Sequence, residues 1–146
     1  MAAQLHTGGR QYLQEVAFTG QQSKPANFYI GLCTDLTIAE NASLADLTEL
    51  SAVPDTDYVR YELVSSAVGW TSAATGDNDR KITSIGVSFS TVTSGVTWTK
   101  AESWFLATTA DDSGKLIMSG PLNSGSGWTV AEGESLSFDI EFIFPG

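Results

Sequence analysis

The side chains best suited to chemistry are few in this chain and far apart in sequence: one cysteine, Cys33, one histidine, His6, and a run of oxygen donors at Asp77-Asn78-Asp79. A cysteine nucleophile acts as the thiolate and needs a base or a positive field beside it. Cys33 sits in Y-I-G-L-C-T, which reads as a buried strand, and His6 lies in the Gly-rich segment M-A-A-Q-L-H-T-G-G-R, which reads as an exposed, mobile tail. The two are therefore expected to be unrelated, with Cys33 a small core residue. Serine catalysis lacks a G-x-S-x-G elbow and has only His6 as an imidazole base. Oxygen donors on a turn suit a hard cation, but the twelfth position counted from Asp77 is Ser88, so the closing glutamate of a calcium loop is missing and a plain turn is the expectation. Zinc would have one cysteine and one histidine to draw on, and no phosphate-cradling glycine motif leads into a lysine. Carboxylates are plentiful, yet no spacing marks two as facing each other across a cleft. No catalytic residue, metal site or cofactor is expected. Asn41-Ala42-Ser43 matches the glycosylation sequon, but with no secretory leader in view it is read as chance.

The elements that would position these residues are mostly strands. Leu136, Phe138, Ile140, Phe142 and Phe144 fall on every second position while Ser137, Asp139 and Glu141 fall between them, the period of a strand with one wet face. N-F-Y-I-G-L-C-T, Asp57 to Val64, a short piece around Trp70, Lys81 to Val92 with Ile85, Val87 and Phe89 on one side, and K-L-I-M-S-G-P-L read the same way. Val96, Trp98, Trp104 and Leu106 share one parity, interrupted by a bulge or loop near Thr99 to Glu102. Ser94-Gly95, Asp111 to Gly114 and Asn123 to Gly127 are turns. Leu44, Leu47 and Leu50 recur every third residue, which suggests a short helix or an ordered loop. The one helical stretch is Gly9 to Phe18, with Tyr12, Leu13, Val16 and Ala17 on one side and Gly20 suited to close it. So short a helix must dock on its own sheet or on a neighbour.

These readings predict a mainly β protein, an antiparallel, jelly-roll-like β-sandwich with a short N-terminal α-helix. Residues 1–20 form an arm carrying the amphipathic helix, and residues 21–146 form a single sandwich domain. The 146 residues suffice for one core without staples, and 42% hydrophobic against 16% charged residues is the balance of a folding chain. One cysteine permits no internal disulfide. No apolar run approaches the roughly 20 residues of a membrane span, and the N-terminus lacks a signal-peptide core, so synthesis in a cytosol is expected. Seventeen acidic against seven basic residues give a formal charge of −10. From residue 101 onward Glu102, Asp111, Asp112, Glu132, Glu134, Asp139 and Glu141 face only Lys115, a distribution that disfavours nucleic acid as a direct partner. Most aromatics are expected in the core, and exposure of Trp98, Trp104 and Trp128 would instead point to a sugar or subunit contact.

The order of segments carries a resemblance. F-Y-I-G-L-C-T-D, then A-D-L-T-E-L with Y-V-R-Y-E-L, then V-G-W-T, then I-G-V-S-F-S-T-V-T-S-G-V-T-W-T-K-A-E-S-W-F-L-A-T-T-A-D-D-S-G-K-L-I-M-S-G-P-L, and finally W-T-V-A-E-G-E-S-L-S-F, together look like a family of small β-rich structural proteins of tailed bacteriophages. The resemblance implies a non-enzymatic virion part: a head decoration or cement protein, or a tail, baseplate or fibre component with receptor or carbohydrate binding. The favoured expectation is a cement protein on the outer capsid surface, made in the host cytoplasm. It would bridge subunits of the major capsid protein, self-associate as a homotrimer, and touch neither nucleic acid nor membrane. Tyr12, Leu13 and Val16 are the expected assembly contacts. A glycan hydrolase, with two carboxylates facing across a cleft, is the enzymatic alternative.

Overall fold

A computed structural model of the chain describes residues 3–75, 79–89 and 95–144. In chain order its elements are β1 (Gln4–Leu5), α1 (Thr7–Gln14), β2 (Asn27–Cys33), β3 (Tyr61–Val64), β4 (Trp70–Ala74), β5 (Arg80–Ser84), β6 (Val87–Phe89), β7 (Ser103–Ala107), β8 (Leu116–Pro121), β9 (Leu136–Phe138) and β10 (Glu141–Phe144). The protein is mainly β, as its periodicities predict, and the described strands form antiparallel sheets. Five strands pair in the order β1-β8-β7-β2-β3, three as β10-β5-β4, and two as β6-β9.

The two smaller sheets are one layer interrupted by a kink. β5 runs into β6 through Ile85 and Gly86, and β9 into β10 through Asp139 and Ile140. At the break the Ser84 backbone N–H donates to the Ile140 carbonyl (2.9 Å), and the Ile140 N–H donates to the Ser84 hydroxyl oxygen (2.8 Å). A side chain thus replaces the backbone partner that the kink removes, and Ser84 is buried for this purpose. Gly86 adopts φ +66°, which changes the phase of the strand. Val87 and Phe89 point into the core as expected, whereas Ile85, expected beside them, is exposed. The C-terminal run is likewise split into two strands, yet its alternation survives: Leu136 and Ile140 are buried, Phe138, Phe142 and Phe144 half-buried, and Ser137, Asp139 and Glu141 exposed.

The main core lies between this layer and the five-stranded sheet. Ile30, Leu32, Trp104 and Leu106 face Val87, Phe89, Leu136 and Ile140, with Tyr58 and Trp98 among them. β7 is buried along its whole length because its other face is covered too. There Cys33, Phe105, Ala107 and Leu116 meet Leu44 and Leu47 of the segment that leaves β2. Leu44 opens a single 3-10 turn, Leu44–Asp46, held by the Asp46 carboxylate, which accepts from the Ser43 N–H and hydroxyl. The expected strand from Asp57 starts later, at Tyr61, and Asp57 itself adopts φ +71°.

The N-terminal arm is docked on its own sheet. β1 pairs with β8 as an edge strand, and α1 packs over β8. Its contact is close at Gly9, where an added Cβ would lie 2.2 Å from the Ile117 carbonyl oxygen. The register shift between β7 and β8 explains why: Leu106 pairs with Met118 and Ala107 with Leu116, so Ile117 is the extra residue of a bulge. Both Ile117 and Met118 consequently face the main core. A π-helical turn, Glu15–Thr19, extends α1, and Gly20 ends it in the left-handed conformation.

Candidate functional site

Tyr12, Leu13 and Val16 do not share one surface. Tyr12 is 3% exposed and sits in the chain's own core, Val16 is half-buried against that core, and Leu13 is exposed on the flank of the helix. The inner face of the arm is Gly9, Tyr12 and Val16, one residue per turn. The large apolar side chains left outward are Leu13 and, beyond it, Phe18, which is 86% exposed.

His6 overturns the reading of an exposed tail: it is fully buried. Its backbone N–H donates to the Ile117 carbonyl (2.9 Å). The ring Nδ1 lies 3.1 Å from the Ala39 carbonyl and 3.2 Å from that of Glu40, and Nε2 lies 2.7 Å from the Ser119 hydroxyl. Two carbonyls around Nδ1 require that nitrogen to carry the proton, which leaves Nε2 to accept from Ser119. Burial pushes the imidazole below its ordinary pKa against the opposing pull of the Glu40 and Ala39 carbonyls. His6 is a pin joining β1, β8 and the segment after β2. Cys33 is buried at the end of β2, and burial pushes its thiol up to about 12. It has no histidine beside it, since His6 is engaged elsewhere.

Sequence reasoning passed over Arg60. Its Nε donates to Glu49 Oε1 (2.9 Å), Nη2 to Glu49 Oε2 (2.6 Å) and to Asp112 Oδ1 (2.5 Å), and Nη1 to the Thr109 (3.2 Å) and Asp111 (2.6 Å) carbonyls. The guanidinium lies 5.1 Å from the centre of the Phe105 ring. Burial alone would lower its pKa, but Glu49 and Asp112 outweigh that and hold it raised. Tyr58 completes the cluster, donating its hydroxyl to Glu49 Oε1 (2.8 Å). An open depression of about 530 Å³ lies over these groups and brings Glu49, Glu62, Asp111 and Asp112 together. The Glu49 and Asp112 carboxylates face a shared cation there, an arrangement that fastens the 108–114 turn to the residues before β3. The signal for it was the lone arginine of Y-V-R-Y, a charge at the edge of a strand with acids far away in sequence.

Elsewhere two of the acids after residue 100 find cationic partners: Lys81 pairs with Glu141 and Lys100 with its near neighbour Glu102, each at 2.9 Å. Trp98 and Trp104 are buried and Trp128 is 41% exposed, so these three do not form a surface strip. Asp77 and Asn78 lie outside the described residues, as does Ser94, and among the described residues no group of three or more His, Cys, Asp or Glu side chains is placed to hold a metal ion. No described helix is long and apolar enough to cross a membrane.

A second concavity lies between α1 and the β10-β5-β4 sheet. It is an apolar groove of about 200 Å³, lined by Tyr12 and Leu13 of the helix, by Phe28 and Trp70, and by residues of β5, β7, β8 and β10. Phe28 makes edge-to-face contacts with both Tyr12 and Trp70, at 6.3 Å between ring centres in each case. The side-chain Oη of Tyr12 and Nε1 of Trp70 are buried without a hydrogen-bond partner. Set beside known proteins, the chain matches no protein-family model and no curated sequence.

Proposed function

We propose that this protein is a non-enzymatic structural component of a bacteriophage virion, a capsid decoration or cement protein that bridges neighbouring capsid subunits from the outer surface. Support for the virion setting comes from the order of sequence segments; support for an assembly role comes from the arm. The carrying observation is that Leu13 and Phe18 remain exposed on a helix whose inner face is already committed to its own core. An apolar pair held on a fixed helix offers a partner a surface whose ordering cost is already met. The side chains best suited to chemistry, His6 and Cys33, are both spent on packing. The acidic surface fits a position away from packaged DNA. A subunit seated across a capsid seam contributes binding energy that the shell must lose before it bursts, so it raises resistance to internal pressure without turning over a substrate. Identical copies arranged as a closed trimer would match the local threefold points of a shell.

The test is titration of the purified protein against undecorated capsids, with the mass of the free protein measured alongside. Saturable binding at threefold sites is expected, weakened at least tenfold by Phe18→Ser with the unfolding midpoint unchanged. Binding only to tails or to host glycan would overturn the cement reading in favour of a tail or fibre component.

A further inference from the structure

We propose that the free edge of β4 is a self-association site, where Trp70–Ala74 pairs antiparallel with the same strand of a second copy about a two-fold axis at Ser72. The inference is independent of the virion role.

The first observation is the phase of the hydrogen bonds. The Ile85 N–H donates to the Gly69 carbonyl (2.8 Å) and the Thr75 N–H to the Asp79 carbonyl (3.1 Å), at either end of the β4-β5 ladder. Bonded and non-bonded positions alternate along an antiparallel pair. Thr71 and Ala73 therefore turn their backbone groups toward β5, while Trp70, Ser72 and Ala74 turn theirs outward. Among the described strands, β5 is the one neighbour of β4 in its sheet. The Trp70 N–H is taken up by the Ser66 carbonyl (3.0 Å), which leaves the Trp70 carbonyl and both backbone groups of Ser72 and Ala74 on the edge.

The second is that this edge lacks the protection the others carry. β1 and β9 are two and three residues long. β3 lies against β6, with the Tyr61 hydroxyl donating to the Gly86 carbonyl (3.1 Å). β10 carries Glu141, paired with Lys81. Natural sheets blunt an open edge by such brevity, cover or charge. β4 is five residues long, W-T-S-A-A, with neither charge nor proline, and Thr71 to Ala74 are exposed on both faces. An open concavity of about 410 Å³ beside it, with Lys24, Ser66, Ala67, Thr71 and Ser72 in its walls, gives an incoming strand room. A strand supplies N–H and C=O groups at the spacing this edge presents.

The third is self-complementarity, which selects a second copy as the occupant. About an axis at Ser72, Ser72 meets Ser72, Thr71 meets Ala73 and Trp70 meets Ala74 of the other copy. The one large side chain thus stands opposite a small one, and no charge opposes another. The Ser72 N–H and C=O of each copy bond those of the other, and each Ala74 N–H donates to the other copy's Trp70 carbonyl. The same patch serves both copies, so the contact closes on itself. So short a strand makes a small interface of the weak class, and the pairing shows at high concentration rather than in dilute solution.

Sedimentation of the full chain from about 0.02 to 1 mM, the range of a weak contact, should show the mean mass rising with concentration. Over that range amide exchange followed by NMR should slow at Ser72 and Ala74 and stay unchanged at Thr71 and Ala73, which are bonded to β5 throughout. Ser72→Lys and Ser72→Glu each set like charges against one another at the axis. Each variant alone should keep its circular dichroism spectrum and associate at least about tenfold more weakly. An equimolar mixture of the two should associate again, because lysine then meets glutamate. The exchange measurement keeps the test in force should a variant not fold. A mass or a Ser72 and Ala74 exchange rate independent of concentration, association of either variant at the strength of the unaltered protein, or a mixture no stronger than its components would overturn the proposal.

Discussion

Arg60 and Glu49 meet side by side, Nε on Oε1 at 2.9 Å and Nη2 on Oε2 at 2.6 Å, with the arginine side chain 5% exposed and the glutamate 22%. The pair connects the approach to β3 with the segment that covers the outer face of the large sheet, and through Asp112 it also holds the turn between β7 and β8. Two parallel donors fix the geometry as well as the charge.

Arg60→Ala should therefore destabilise the fold by about 3 kcal/mol, the lower end for breaking a buried pair, because Glu49 retains some access to water. Urea unfolding followed by tryptophan fluorescence measures it. Arg60→Lys should recover less than half of the loss, since an ammonium cannot make the forked contact or stack on Phe105. Full recovery by lysine would show that charge alone matters at this position.

His6 should make stability fall with acid. Its folded-state pKa lies below the ordinary 6.5, with burial as the main cause, so the unfolded chain takes up the proton first as the pH drops. The contribution is whole above about pH 6.5 and is lost progressively below it, until the folded imidazole is protonated too. The charged groups facing it, Glu40 on the segment after β2 and Arg10 on α1, pair with each other and pull in opposite directions. Unfolding midpoints at pH 7.5 and 5.0 should differ in the unaltered protein, and the difference should shrink in His6→Gln. An unchanged difference in that variant would assign the acid sensitivity to the carboxylates instead.

Cys33 should resist alkylation in the native state. The thiol is buried and its pKa is pushed up to about 12, so neither access nor thiolate is supplied at pH 8. Iodoacetamide followed by mass measurement should show an unmodified chain without denaturant and complete modification with it.

Gly9→Ala should loosen the arm. The new methyl would stand 2.2 Å from the Ile117 carbonyl oxygen, a backbone atom of a bulged strand that cannot swing aside. A cost of about 1–3 kcal/mol is expected, the range for overpacking a well-filled contact. Hydrogen exchange should quicken first at α1. Deleting residues 1–20 outright should go further and impair folding of the sheet, because β1, His6 and Tyr12 leave with the deleted segment. The proposed assembly role is therefore better probed at Phe18 than by truncation.

Much of the β architecture was legible because side-chain alternation does not depend on which strand lies alongside. The parity of Leu136 to Phe144 survived a break between two sheets, and Gly20 ended the helix as its residue type suggests. The misreadings have a common origin. Ile85 went outward because one glycine at positive φ shifted the phase of its strand, and the sequence marks the glycine but not its conformation. His6 looked like a tail residue because its local segment is polar and Gly-rich. Its partner Ser119 is 113 positions away. Tyr12, Leu13 and Val16 were grouped by spacing on the helix, which shows that they are near one another but not which of them a neighbouring strand covers.

The chain by itself determined its class, most of the inward and outward faces of its strands and the scarcity of reactive side chains, because each follows from residue type and short-range period. Only the tertiary structure decided that the lone histidine is a buried pin, that Arg60 gathers acids from 11 and 52 positions away, and that a helix and a sheet leave an apolar groove between them. These arrangements arise where distant segments come into contact, and the free energy of such contacts is set by geometry that no local pattern encodes.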